Sequence, residues 1–529
     1  MLPTSIRAAA LLRRSPLAST VPVARVGMTG ARTFQTCSCH FRASEPPAAP
    51  ASPSGPAAPG TMQSSAVPST KIGRFVQYGG LAVKLGAGAI GESLSRMAGT
   101  SKPVIEGASP FLTPENVQRI VTTLTQMRGA ALKLGQMISI QDSGVFPKEI
   151  EEVLVRVQNG ANYMPRRQMK QVMANELGRD WQSKFQHFDP VPFAAASIGQ
   201  VHRATLHDGT AVAVKVQYPG VADSIESDLA HLRSIAILSG FLPKGLYLDN
   251  SVAVAKRELL WETDYMREAA WLAAFRAVDL PGDVFDVPRP IMDLCTPRVL
   301  TMEFVDGVPL GKVADMSQET RDWVAAHLMR LTLHELFTLG FMQTDPNWSN
   351  FLYDPHAHRL RLLDFGSTRA FGATFLQHYA NVLQAAANQD AAGVMHWSEK
   401  LGFLTGYEAP AMRDAHVSAV LTLGEPFAAG QELYDFTHAR DVTHKIRDLI
   451  PTMLEHRLSP PPDETYSLHR KVSGLFLLCT RLQARVPCRQ LLLEAIEEFR
   501  ARGETLIQLP EGVAVPSPLE EVGGASASA

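Results

Sequence analysis

A lysine closing an apolar strand-like run, an Asp and an Asn five residues apart, and then Asp-Phe-Gly limit what this chain can fold into more than any other feature. Lys215 ends Ala211-Val-Ala-Val-Lys215, Asp345 and Asn350 bracket Asp-Pro-Asn-Trp-Ser-Asn, and Asp364 opens Asp-Phe-Gly after the run Leu360 to Leu363. Each has an ordinary role open to it. A lysine often ends a strand in solvent, and Asp-Pro, Asn and Asp-Phe-Gly all form turns. In this order and spacing, however, they make up the set that a nucleoside triphosphate needs. That set is a cation on the phosphates, two oxygen ligands for a metal, and a carboxylate to orient the attacking group.

The same order occurs in kinases, so the remaining kinase parts can be looked for. The glycine-rich loop G-x-G-x-x-G-x-V maps onto Ala194-Ala-Ala-Ser-Ile-Gly-Gln-Val201. Gly199 and Val201 match, but Ala194 and Ala196 stand at the first two glycine positions. Glycine there lets backbone amides approach phosphate. Alanine adds a Cβ, so Ala194 and Ala196 imply altered nucleotide geometry, Ala195 lies between them in the same phosphate-facing loop, and Ser197 brings a hydroxyl within reach of a phosphate. Lys215 needs an acidic partner, and Glu258, Glu262, Asp264 and Glu268 are candidates on one predicted helix, with Asp264 and Glu268 on a shared face. Thr301-Met-Glu-Phe-Val-Asp-Gly307 reads as a hinge whose Met302, Glu303, Phe304 and Val305 would line an adenine. Gln343 and Thr344 replace the His and Arg that precede the catalytic aspartate. Asp345 would orient or deprotonate the attacking hydroxyl or water, while Asn350 and Asp364 would hold Mg²⁺, which favours oxygen ligands. No Ala-Pro-Glu follows Asp364, so an extended peptide-docking loop is not expected.

Composition sets the surroundings. With 529 residues, 45% hydrophobic and 19% charged, the chain is long enough for a large core or several domains. A formal net charge of -2 gives no pull towards nucleic acid. Five cysteines without metal-ligand spacing suggest neither a disulfide framework nor a metal site. From Met1 to Ser44 there is no Asp or Glu, and Arg7, Arg13, Arg14, Arg25 and Arg32 recur among Ala, Ser and Leu. That pattern describes a mitochondrial transit peptide.

The expected fold is α+β, a two-lobed atypical kinase-like fold with an N-terminal helical extension and a helical C-lobe. Residues 1–60 read as transit peptide and disordered linker. Residues 71–98 read as a Gly-rich helix, membrane-associated or transmembrane, although Lys84 weakens a span. Residues 113–187 form the helical extension, entered at Thr113-Pro114. Residues 188–306 are the N-lobe, 307–509 the C-lobe and 510–529 a disordered tail. Continuous helices are expected over Val252 to Phe275 and Trp323 to Leu339. Further helices after Phe375 should break at Pro426, Pro451 and Pro460 to Pro462. Lys133 and Gln136 lie one turn apart around Gly135, which favours close packing against another element.

Lys133-Leu-Gly-Gln136, the Ala-rich loop, Glu262-Thr-Asp264 and Asp345-Pro-Asn-Trp-Ser-Asn350 together resemble the UbiB-type, AarF-domain atypical kinases tied to coenzyme Q biosynthesis. The resemblance runs from about Phe75 to Arg502. It implies that the helix bearing Lys133, Gly135 and Gln136 folds over the cleft where a peptide would lie and meets Glu262 and Asp264, leaving Glu268 to pair with Lys215. It also implies ATP and Mg²⁺ as cofactors and a place on the matrix face of the inner mitochondrial membrane. The implied partners are the coenzyme Q biosynthetic complex and membrane lipids, with self-association left open. The implied activity is ATP hydrolysis, or phosphorylation of a lipid or small molecule. A non-catalytic, nucleotide-gated scaffold is the alternative, and a true protein kinase is the least favoured.

Overall fold

A computed structural model of the chain describes residues 163–239 and 247–510, with Gly80, Arg119 and Val513 besides. The expected transit peptide, linker and tail, the Gly-rich segment, the Thr113 cap and the Lys133–Gln136 motif lie outside that set or almost wholly so. Among the described residues, no helix is long and apolar enough to cross a membrane.

The description opens with α1 (Arg166–Leu177) and then the strands β1 (His187–Phe188), β2 (Ala194–Ala195), β3 (Gly199–Thr205) and β4 (Ala211–Gln217). Helices α2 (Val221–Ser239), α3 (Leu248–Glu262) and α4 (Tyr265–Ala277) follow, then β5 (Phe285–Asp286) and β6 (Val299–Glu303). β1, β3, β4 and β6 form one antiparallel sheet in that order, with β2 also paired to β3. Period-two alternation sorts the two faces of β4. Val212, Val214 and Val216 enter a core with Trp181, Tyr218 and Leu300, and Met169 and Met173 of α1 complete it. Ala213 packs into the other core, and Lys215 follows it on that face. The turn joining β3 to β4 forms as Asp208-Gly209 requires. Gly209 adopts φ 87° and the Asp208 carboxylate accepts the Thr210 amide at 2.9 Å.

The helix expected over Val252 to Phe275 is instead two. α3 ends at Glu262, and Asp264 leaves helical geometry to cap α4, accepting the amides of Met266 at 3.0 Å and Arg267 at 3.2 Å. Asp264 and Glu268 therefore do not share one helical face as the periodicity suggested. The capping bonds compensate for ending one helix and starting another.

α4 joins the two halves of the molecule. Tyr265 and Ala269 lie in the sheet's core. Trp271, Leu272 and Phe275 lie in the second, larger core. That core belongs to β7 (Val308–Pro309), α5 (Gln318–His334), β8 (Phe341–Gln343), β9 (Phe351–Asp354), β10 (Arg359–Leu362) and β11 (Thr368–Ala370). Its helices are α6 (Ala373–Ala387), α7 (Ala391–Leu401), α8 (Pro410–Leu423), α9 (Ala439–His456), α10 (Asp463–Leu482) and α11 (Cys488–Ala501); β12 (Tyr434–Asp435) and β13 (Arg485–Val486) pair as a short ribbon. Buried Phe337, Leu478 and Phe499 show how α5, α10 and α11 share one interior.

Two helix expectations need correction here. The apolar helix ending at Leu339 is α-helical only to His334, and Glu335–Leu339 is a fully buried π turn. Pro451 does not break its helix but lies inside α9. It is exposed there, so the carbonyl left without its amide can turn to water.

Candidate active site

Alternation along β4 turns Lys215 towards α4, and Glu268 in the first turn of α4 meets it. The ammonium donates to both Glu268 oxygens, at 2.8 and 2.9 Å, and to Oδ2 of Asp364 at 3.2 Å. It also stands 5.0 Å from the Tyr265 ring centroid. Burial pulls the Lys215 pKa down, but the carboxylates of Asp364 and then Glu268 outweigh it and hold it well above the ordinary value. For Glu268 burial dominates and pushes the carboxyl up to about 7 despite Lys215.

Asp364 follows β10, and its carboxylate also accepts the Gly366 amide at 3.0 Å. Its side chain is 31% exposed while that of Glu268 is 1% exposed, so of Lys215's two partners Asp364 is the one with a face open to solvent. Phe365 packs under α4, 4.7 Å from Phe275 centroid to centroid. Asn350 and Asp364 are brought together by backbone, because the Asn350 carbonyl accepts the amide of Leu363 at 2.9 Å. Asn350 is buried, and its amide nitrogen has no acceptor among the described residues. Asp345 lies between β8 and the turn Trp348–Asn350, where its carboxylate accepts the Asn347 amide at 3.2 Å. The Thr344 hydroxyl ties this loop to the Asp-Phe-Gly segment by donating to the Ser367 carbonyl at 2.7 Å.

Glu262 reaches the same place, since the Ser367 hydroxyl donates to it. Arg267 donates to the carbonyls of Gly366, at 3.0 Å, and Thr368. A Cβ on Gly366 would stand 3.4 Å from both Asp364 and Glu268 and 3.6 Å from Glu262, so the three acidic side chains surround that glycine. Asp264 is occupied in capping. After Ser367 the chain enters β11 at once and then α6, so no extended loop follows Asp-Phe-Gly.

The Ala-rich segment is a tight hairpin. Ala194 and Ala195 pair with Val201 and Gln200, and the Ala196 amide donates to the Gly199 carbonyl at 2.8 Å. Ser197 sits in this turn. Gly199 is required by close approach, because a Cβ there would come within 2.7 Å of both the Tyr265 hydroxyl and the Val216 carbonyl. Along the expected hinge, Met302 is buried, the Glu303 amide donates to Arg289 and the Phe304 amide to Ala211. The Glu303 carboxylate pairs with Arg289 at 2.9 Å, and the Phe304 ring lies under Arg203. The Val305 amide has no partner among the described residues.

Sequence reasoning missed several of these side chains. Arg267 and Ser367 carry no motif. Lys471, on α10, lies buried with its ammonium 2.8 Å from the Gln343 amide oxygen and 4.9 Å from the Phe351 ring centroid. More than a hundred residues separate Lys471 from Asp345, and no local pattern marks it.

Two lobes joined by a helix whose glutamate grips a strand lysine, with Asp-Phe-Gly beneath, define a kinase-like protein. A family profile described as the ABC1 atypical kinase-like domain matches residues 156–398. The rat protein named "Atypical kinase COQ8B, mitochondrial" is 49% identical over 440 residues, 83% of each chain. "Atypical kinase COQ8, mitochondrial" of Saccharomyces cerevisiae is 47% identical over 435 residues, 82% of this chain and 86% of that one. Among solved structures, the Rv3197–erythromycin complex from Mycobacterium tuberculosis aligns with a TM-score of 0.50 and 25% identity, over 72% of this chain and 96% of that one. The chain belongs to the ABC1 atypical kinases, enzymes of the phosphotransferase class, and its fold is the expected α+β two-lobed one.

Proposed function

We propose that the chain binds Mg-ATP between its lobes and uses it, by hydrolysis or by transfer to a lipid or small molecule, to support coenzyme Q biosynthesis at the matrix face of the inner mitochondrial membrane. The observation that carries the proposed nucleotide site is Lys215, held by buried Glu268 and touching partly exposed Asp364. The oxygen donors fit Mg²⁺. Asp364 offers carboxylate oxygens and Asn350 an amide oxygen beside it. Among the described residues there is no cluster of three His, Cys, Asp or Glu of the kind a resident transition metal uses. A magnesium ion held by one or two side chains and the phosphates needs none.

When bound, Mg²⁺ would neutralise charge developing on the phosphates. Lys215 would contact the α- and β-phosphates, with Glu268 fixing its direction. The hairpin Ala194–Ser197 would cover the phosphates, Ser197 offering its hydroxyl, and the Val305 amide would face the adenine beside Met302, Glu303 and Phe304. Asp345 would accept the proton of the attacking hydroxyl or water. The family resemblance implies that Lys133, Gly135 and Gln136, which lie outside the described residues, meet Glu262 and Asp264 over the cleft and exclude a peptide, which favours a small acceptor. Family membership supports the mitochondrial setting and the coenzyme Q pathway; association with its enzyme complex and with membrane lipid is part of the proposal.

The chain as catalyst and the chain as nucleotide-gated scaffold part company at Asp345. Asp345→Asn is expected to bind ATP as the parent does while releasing phosphate on the order of a hundredfold more slowly or worse. Lys215→Ala is expected to lose ATP binding itself. Fluorescent-nucleotide titration and a phosphate-release assay read the two effects. An Asp345→Asn protein that sustains cellular coenzyme Q as well as the parent would favour the scaffold.

A further inference from the structure

We propose that Lys471 is a positioning residue for Asp345, supplying from α10 the cation that the loop around Asp345 lacks. From Gln343 to Asn350 the sequence runs Gln-Thr-Asp-Pro-Asn-Trp-Ser-Asn, without a Lys, Arg or His. A carboxylate that takes a proton during turnover gains from a fixed cation nearby, which holds it ionised and in place beforehand. Lys471 is in position for this. Its ammonium donates to the Gln343 side chain at 2.8 Å, and Gln343 lies two residues before Asp345. Burial pulls the Lys471 pKa down, and the carboxylate of Glu335, followed by that of Asp345, opposes it. Lys471 and Glu335 are both buried, so the cation is screened from water and cannot itself reach a substrate. Phe351, the residue after Asn350, closes the other side beneath the ammonium.

Neutralising Glu335, which sits at the start of the π turn, is the competing role for this lysine. Geometry argues against it as the whole account. Among the described residues, the hydrogen bond of Lys471 goes to Gln343 rather than to Glu335, and one Glu335 oxygen is buried without a partner. π turns of this kind occur often at functional sites.

The inference rests on the proposed ATP turnover, and the test separates the two. Full-length parent, Lys471→Met, Lys471→Arg and the double variant Glu335→Gln/Lys471→Met are compared for phosphate release, ATP Kd and melting temperature. The double variant removes both buried charges, so it folds even where Lys471→Met alone does not. It is expected to keep its ATP Kd within about twofold while kcat falls on the order of tenfold or more. Lys471→Arg, which keeps the charge, is expected to recover most of kcat. A double variant with parental kcat would show that Lys471 only balances Glu335, and the inference would fall. A folded Arg variant as slow as the Met variant would overturn it too, as would a loss of ATP affinity matching the loss of kcat. An unaltered chain that releases no phosphate would refute the proposed function, and this inference with it.

Discussion

Asp364→Asn is expected to leave the fold intact and to slow phosphate release on the order of a hundredfold or more. The substitution is nearly isosteric, and an Asn oxygen can still accept the Gly366 amide that Asp364 accepts at 3.0 Å. What disappears is the negative charge. That charge is the largest of those raising the Lys215 pKa, and on the proposed reading it also holds the metal beside Asn350. Glu268 remains to keep Lys215 in place through two short hydrogen bonds, so the lobe would keep its shape while the proposed metal site would lose a ligand charge. Phosphate release together with a melting curve reads both halves of the statement. Turnover equal to that of the parent would remove Asp364 from the chemistry.

The second large effect concerns stability. Arg470 of α10 and Glu258 of α3 form a 2.8 Å ion pair with both side chains only 4% exposed. α3 ends at Glu262, so the pair anchors to the large core the segment that leads into the Lys215–Glu268 contact. Arg470→Met strands a buried carboxylate and is expected to cost about 3–5 kcal/mol in urea denaturation. Removing both charges, in Glu258→Leu/Arg470→Met, should recover most of that loss, because the desolvation cost of both ions disappears with their attraction. If the double variant is no more stable than Arg470→Met, the ion pair is not what the single substitution broke.

The arrangement of the candidate site was legible where one local rule governed it. Alternation in Ala211 to Lys215 shows which face the lysine takes, and Asp208-Gly209 announces the hairpin beside it. The run into Asp-Phe-Gly is likewise a strand and a turn with no competing reading. The break between α3 and α4 was hidden, because Trp261, Tyr265 and Phe275 continue a helical apolar pattern across it. Only the capping bonds of Asp264, made to the amides of residues two and three further on, decide the matter. Pro451 misled for the converse reason, since a proline on an exposed helix face disturbs little that is packed. Lys471 had no local signal at all. Its meaning comes from the hydrogen bond by which α10 meets Gln343 of β8, a tertiary fact that spacing along the chain does not encode. Lys215, Asp345, Asn350 and Asp364 thus carry local patterns, while the buried residues that hold them come from elsewhere in the chain.

The most direct test of the account is an equilibrium titration of the full chain with ATP, with and without Mg²⁺, alongside Lys215→Ala. Saturable one-to-one binding that Mg²⁺ tightens and that Lys215→Ala abolishes is the expected result. Binding indifferent to Mg²⁺ and equal in the two proteins would contradict it.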